Sequence, residues 1–350
     1  MPDTEEPTIP LHADDTLPPW GDLDTGGKST LASTALPSHW SFELDDAGRE
    51  RQFVRWWFHT LSLINRYLWP RYDRRRKVWA GESVRFMTEL TQADLHLLLR
   101  IQHPRRGGRQ FEKALTSALR PPGRVTHHDL FTLEDQNDGA NMFDNYGVYN
   151  RKVDSTTLAA ISDLCWFGDD TKQTPVAYLF KRVLERPRPM QMALRFGHAN
   201  FNYENATSSL TPSMCSGHCI QSLLSVGTVI ERFLEDVLLT ADLSSTLPQW
   251  AVDIGDRRVL AGVHYPTDSL CSWVIFLRMA DFVYDQPHAS EVKRLLADAI
   301  TTKSYLYQQI VAFADTPEGA VYKEPLHLLR DSFDPGPIPE IDPPCAPKDF

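Results

Sequence analysis

Arg258-Val-Leu-Ala-Gly-Val-His264-Tyr-Pro-Thr-Asp268 is the stretch from which the rest of this chain is best read. Pro266 has no N–H to give a helix and a φ that is already helical, so it suits the first position of a new one. Asp268 then falls at the third position, where a carboxylate can fold back over the helix start. His264 lies just before that start. Asp268 is thereby placed to hold one imidazole nitrogen and keep the other unprotonated, the orienting logic of a catalytic triad with histidine itself as the attacking group.

Two earlier blocks supply complementary chemistry. In Lys181-Arg-Val-Leu-Glu-Arg-Pro-Arg188-Pro189, the helix expected from Thr174-Pro175 through Val176 to Leu184 carries Lys181 in its last turn. Arg188 precedes a proline and is therefore biased to extended backbone. The two cations can approach one anion from different sides, Arg as a planar fork and Lys as a point charge. Arg182 and Arg186 compete locally for the same role. In Thr211-Pro-Ser-Met-Cys-Ser-Gly-His218, the chain leads into an apolar helical pattern from Cys219. A helix start presents unpaired N–H groups and partial positive charge to an anion. Ser216 adds a hydroxyl, Gly217 a bare backbone, and His218 an imidazole for the leaving group. Alone, the first block reads more simply as a solvated basic face, and His218 as a capping or core histidine. Together the three describe a cage for a tetrahedral oxyanion.

In this order and spacing the blocks resemble the type 2 phosphatidic acid phosphatase superfamily, which includes bacterial acid phosphatases, lipid phosphatases and vanadium haloperoxidases. The resemblance covers roughly residues 150 to 285. It implies His264, His218 and Asp268 as catalytic residues, with Lys181, Arg188, Ser216, Gly217 and Arg258 binding phosphate. Family register selects Arg188 over its neighbours and, by the six-residue step to His264, Arg258 over Arg257. The family commonly writes Pro-Ser-Gly-His where this chain has Cys215-Ser-Gly-His, a departure that touches loop rigidity more than mechanism.

Three activities remain open. The first is a metal-independent phosphomonoesterase acting through a phosphohistidine, with no cofactor and a small-molecule phosphate ester as substrate. The second is a vanadium-dependent haloperoxidase, with vanadate in the same cage and His264 as its ligand. The third is a non-catalytic phosphate-binding protein. Haloperoxidases usually carry His or Phe where this chain has Thr211, and the 28-residue interval from Arg188 to Ser216 is compact. Both favour the phosphatase. Trp166, Phe167, Phe196, Phe201 and Tyr203 lie near the blocks in sequence and read as core aromatics or as pocket walls.

A net charge of −10 argues against a nucleic-acid partner and against anionic membranes. No run approaches the roughly 20 apolar residues of a membrane span. No secretory signal is evident at the start, so the expected compartment is the cytoplasm. The oligomeric state is not legible. Five scattered cysteines show no zinc spacing; Cys215 and Cys219 read as core thiols or, less simply, as a redox pair. The basic run Arg71 to Lys77 reads as a solvated face.

The expected architecture is all-α, a helical bundle of the acid phosphatase/vanadium haloperoxidase type with extra N-terminal helices. Residues 1–45 read as a disordered or extended arm and 46–150 as helices packed on the core. Residues 151–330 form the catalytic bundle, and 331–350 a Pro-rich tail. Helical spacing marks Phe53 to Ile64 and a segment from Thr91 to Ile101, then Cys219 to Leu239, Asp268 to Tyr284, and Glu291 to Ala314. Trp56 and Trp57 suit either a packed helix face or a membrane surface.

Overall fold

The periodic apolar segments become helices in the computed structural model, which describes residues 46–69, 81–102, 166–167, 174–198, 211–284 and 287–336. In chain order these are α1 (Asp46–Tyr67), α2 (Gly81–Gln102), α3 (Val176–Leu184), α4 (Pro189–Arg195), α5 (Gly217–Glu235), α6 (Ala241–Leu260), α7 (Pro266–Val283), α8 (Ala289–Thr302), α9 (Tyr305–Ala314) and α10 (Lys323–Asp331). A 3-10 turn, Ala320–Tyr322, leads into α10. Strands β1 (Trp166–Phe167) and β2 (Thr174–Pro175) form one short antiparallel pair just before α3. The fold is all-α.

Helix α7 lies at the centre. It packs on α5, α6, α8 and α10 within the bundle, and on α1 and α2 from the N-terminal region. Every residue from Trp250 to Ala280 is buried, so the end of α6, the turn after it and most of α7 run through the interior. Leu270, Trp273, Val274, Phe276 and Leu277 of α7 are fully buried, each large apolar side chain contributing about 1.5–3 kcal/mol. Hydroxyls tie the helices where apolar packing alone would leave them free to slide. Ser272 donates to the carbonyl of Ser216 at 3.0 Å, fixing α7 against the start of α5. Ser222 reaches Ala251 O at 2.9 Å, fixing α5 against α6.

The N-terminal helices are part of this core. Trp56 and Trp57 are buried, and Trp56 meets Phe180 of α3 edge-on at 5.8 Å. They form a packed face. No helix among the described residues is long and apolar enough to cross a membrane.

Several boundaries differ from the sequence reading. Pro175 ends β2 and α3 begins one residue later. Helix α2 starts ten residues before Thr91, at Gly81. α5 stops at Glu235, where Val237 adopts a left-handed φ of 56°. The single helix expected from Glu291 to Ala314 is two, because Ser304 caps α9 by accepting from Tyr307 N at 3.0 Å. α6 was not anticipated: Pro248 lies inside it, and its buried Asp253, Asp256, Arg257 and Arg258 blur the apolar stripe. α10 ends at Asp331, the residue at which the tail was expected to begin. The arm at 1–45, the Arg71 to Lys77 run, residues 103–165, Phe201, Tyr203, Cys345 and the tail beyond 336 lie outside the described residues.

Gly227 of α5 permits a close approach in the core. A Cβ there would fall 2.1 Å from the Tyr284 hydroxyl, which donates to Leu224 O at 3.0 Å. Gly227→Ala is expected to destabilise the protein by about 1–3 kcal/mol through overpacking, despite the better helix propensity of alanine. A denaturant midpoint equal to or above that of the wild type would contradict this packing.

Candidate active site

Local chain geometry places each cation. α3 ends when Glu185 enters the left-handed region at φ 47°, its N–H donating to Lys181 O at 2.8 Å. That turn sends Arg186-Pro187-Arg188 out as an extended exit, with Arg188 at φ −71°, ψ 154° as the N-cap of α4. After α6, Gly262 takes a φ of 75° and returns the chain through His264 to Tyr265, the N-cap of α7.

At this start of α7, Asp268 folds back as the sequence suggests. Its Oδ2 accepts from Tyr265 N at 2.9 Å, from His264 Nδ1 at 3.1 Å and from the Ser213 hydroxyl. Its Oδ1 accepts from Arg186 Nη1 at 3.0 Å. Burial alone would raise this carboxyl, but the Arg186 charge and the His264 hydrogen bond hold it well below the usual carboxylate range. An ionised carboxylate only accepts, so the proton of the neutral imidazole sits on Nδ1. The lone pair of Nε2 then faces Arg188, whose Nη1 lies 3.1 Å away. Burial, then Arg188 and Lys181, push the His264 pKa well below its ordinary value, against the opposing pull of Asp268.

Around Nε2 stand buried cations. Arg188 Nη1 also donates to Val263 O at 2.6 Å, and its Nε and Nη2 go to the carbonyl and hydroxyl of Thr211 at 2.6 and 3.0 Å. Lys181 Nζ rests on the carbonyls of Pro212 and Ser213 and pairs with no carboxylate among the described residues. Burial, then Arg188, lower its pKa well below the lysine norm. A buried ammonium without a counter-charge is costly, and an anion would relieve it.

The remaining predicted residues lie at the start of α5 and in the last turn of α6. Ser216 is the N-cap of α5, and its buried hydroxyl has no hydrogen-bond partner among the described residues. A Cβ on Gly217 would lie 4.0 Å from Lys181 Cε. His218, the second residue of α5, is buried. Arg258 is buried in the last turn of α6, and its charge reaches Lys181. Arg257 is buried as well, its charge acting on Asp256.

Arg186 does not join the cage. It lies wholly buried between the rings of Trp69 and Tyr265, 4.5 and 3.9 Å from their centroids. Besides Asp268 it binds Thr267 Oγ1 at 2.7 Å and Asp94 Oδ2 at 2.6 Å. The side chain of Arg182 lies outside the described residues. Cys215, Cys219 and Cys271 are free, buried thiols, and burial pushes Cys219 and Cys271 up, away from the reactive thiolate. Phe196 packs with Leu95, Met192 and Tyr265, while the side chains of Trp166 and Phe167 lie outside the described residues. No group of three or more His, Cys, Asp or Glu arranged to hold a metal ion occurs among the described residues.

Sequence reasoning missed Asp94, Ser213, Thr267 and Tyr322. One signal was present: Asp94 falls on the stripe Leu90, Ala93, Leu97, Leu98 and Ile101, a carboxylate on the apolar face of α2.

A histidine held by a carboxylate, with buried cations beside its open nitrogen, has the chemistry to hold an oxyanion. Residues 172–291, which contain every one of the predicted site residues, match the family model of the PAP2 superfamily. That match supports phosphatase-like chemistry. No curated protein and no solved structure gives a significant match.

The depressed His264 pKa has a consequence for stability. Below the ordinary histidine value the unfolded chain takes up this proton before the folded one, so stability is full above about pH 6.5 and falls as pH drops below it. Between pH 6.5 and 5, wild type is expected to lose more stability than His264→Asn, by at most about 2 kcal/mol. Denaturant titrations at the two pH values check this; parallel losses would mean that His264 is not held neutral.

Proposed function

We propose that this protein is a phosphomonoesterase that works through a phosphohistidine and needs no metal ion. His264 Nε2 forms a bond to phosphorus as the bond to the leaving alkoxide breaks, and protonated His218 gives that alkoxide its proton. His218 then takes a proton from water, whose oxygen bonds to phosphorus as the P–N bond breaks. Phosphate leaves, and both imidazoles return to their starting states. Lys181, Arg188 and Arg258, with the Ser216 hydroxyl and the Gly217 N–H, neutralise the equatorial oxygens, the task given to Mg²⁺ in many phosphoryl-transfer enzymes.

The observation that carries this reading is the pairing at His264: Nδ1 on Asp268 and Nε2 turned toward Arg188, with the buried Lys181 ammonium resting on backbone carbonyls and forming no carboxylate ion pair among the described residues. The haloperoxidase reading would use the same cage for vanadate, with His264 as ligand. Thr211 favours the phosphatase, because both of its oxygens are occupied with Arg188. The substrate we propose is a water-soluble phosphate ester, and the compartment the cytoplasm.

Hydrolysis of a chromogenic phosphate ester tests the proposal. Activity is expected to survive EDTA and to be inhibited competitively by orthovanadate, which can adopt the trigonal-bipyramidal geometry of the transition state. His264→Ala is expected to lower kcat by at least about 10³-fold while the protein stays folded. Turnover by that variant within tenfold of wild type would remove His264 from the nucleophile role. Loss of activity in chelator, restored by a divalent metal, would contradict metal independence. Bromide oxidation by peroxide, seen only with added orthovanadate, would select the haloperoxidase.

A further inference from the structure

A second carboxylate, bonded as heavily as Asp268, belongs to α2, outside the segment that matches the superfamily. Asp94 is fully buried. Its Oδ1 accepts from Thr267 N at 3.1 Å and from the Tyr322 hydroxyl; its Oδ2 accepts from Arg186 Nη2 at 2.6 Å and from the Thr267 hydroxyl. Tyr322 comes from the 3-10 turn before α10. Helix α2 and that turn, from opposite ends of the sequence, thus converge on the first turn of α7.

Arg186 transmits this arrangement. Its two terminal nitrogens are divided between carboxylates, Nη2 on Asp94 and Nη1 on Asp268. The flanking Trp69 and Tyr265 rings fix its plane. Asp268 Oδ1 is taken by Arg186, which leaves Oδ2 to hold His264 Nδ1. With the Asp94 charge removed, the guanidinium would keep one carboxylate and be drawn toward it. The Asp268 group would then turn into a two-pronged pairing with Arg186 and loosen its grip on the imidazole.

We propose that Asp94 is a positioning residue for the His264–Asp268 pair, acting through Arg186 and the first turn of α7, with Tyr322 holding it in place. The N-terminal helices thereby complete the site. As a role in catalysis this rests on the phosphatase reading; as an effect on the imidazole it does not.

Two readouts on the full-length chain separate these. The first is nitrogen-15 NMR of histidine-labelled protein, with the His264 signal assigned by its loss in His264→Ala. Wild type is expected to show the Nδ1–H tautomer, and Asp94→Asn to show a mixture or exchange-broadened signals. The second is steady-state hydrolysis, where Asp94→Asn is expected to lower kcat by about 10- to 100-fold with KM within threefold, the signature of a displaced reacting group. Should Asp94→Asn fail to fold, the double variant Asp94→Asn/Arg186→Met removes both charges. A merely structural ion pair replaced by a neutral pair would return stability and kcat together. The proposal expects stability to return while kcat and the tautomer stay impaired. An unchanged His264 tautomer in a folded Asp94→Asn, or recovery of kcat to within threefold in the double variant, would overturn it. Absence of wild-type turnover, with the tautomer still responding to Asp94→Asn, would sink the phosphatase reading alone and leave the positioning role standing.

Discussion

Arg186 is a permanent cation whose side chain is wholly buried, and the core around it is arranged to make that tolerable. Such a charge is acceptable inside a protein only when its donors are met by acceptors and its field by opposite charge. Asp94 and Asp268 supply the charge, Thr267 a further acceptor, and the faces of Trp69 and Tyr265 cover the plane. These partners come from the residue pair just past α1, from α2 and from the start of α7. The buried guanidinium is therefore what joins the N-terminal helices to the bundle at the level of the site. Removing one partner from a buried pair of this kind costs about 3–5 kcal/mol, which makes the arrangement all-or-none.

A division of labour among the arginines follows. Arg186 and Arg188 are two residues apart in one extended exit from α3, yet they do opposite things. Arg186 gives both terminal nitrogens to carboxylates and serves as structure. Arg188 reaches the carbonyls of Thr211 and Val263 and the open nitrogen of His264. Carbonyls are weaker partners for a cation than an oxyanion would be, so Arg188 and Lys181 can exchange them for a ligand. The same segment thus holds the histidine by its closed side and presents cations to its open side. The left-handed Glu185 and the two flanking prolines, which restrict the backbone, keep that segment from collapsing either into the helix or onto the site.

What could be read from the sequence was whatever is local. The proline-started helix, the carboxylate folding back to its N-cap and the extended Arg188 are settled within four or five residues by backbone sterics, and the structure has them. The central place of α7 was not legible, because burial on every face leaves no amphipathic pattern to read. α6 was missed for a related reason, its stripe obscured by Pro248 and four buried charges. The competition between Arg186 and Arg188 could not be decided from spacing alone, since it turns on Asp94, 92 residues before Arg186. Asp94 itself sat in plain view as a carboxylate on an apolar stripe; only the fold says that Arg186, Thr267 and Tyr322 meet it there.

The central claim is that His264 forms a bond to phosphorus. Rapid quench under alkaline denaturing conditions, within the first turnover of a phosphate ester, tests it most directly. The account predicts a base-stable, acid-labile phosphoryl group on the peptide containing His264, formed as fast as the alcohol is released and absent in His264→Ala. Alcohol release with no phosphorylated peptide at any time, or a phosphoryl group recovered on another residue of the intact enzyme, would contradict it.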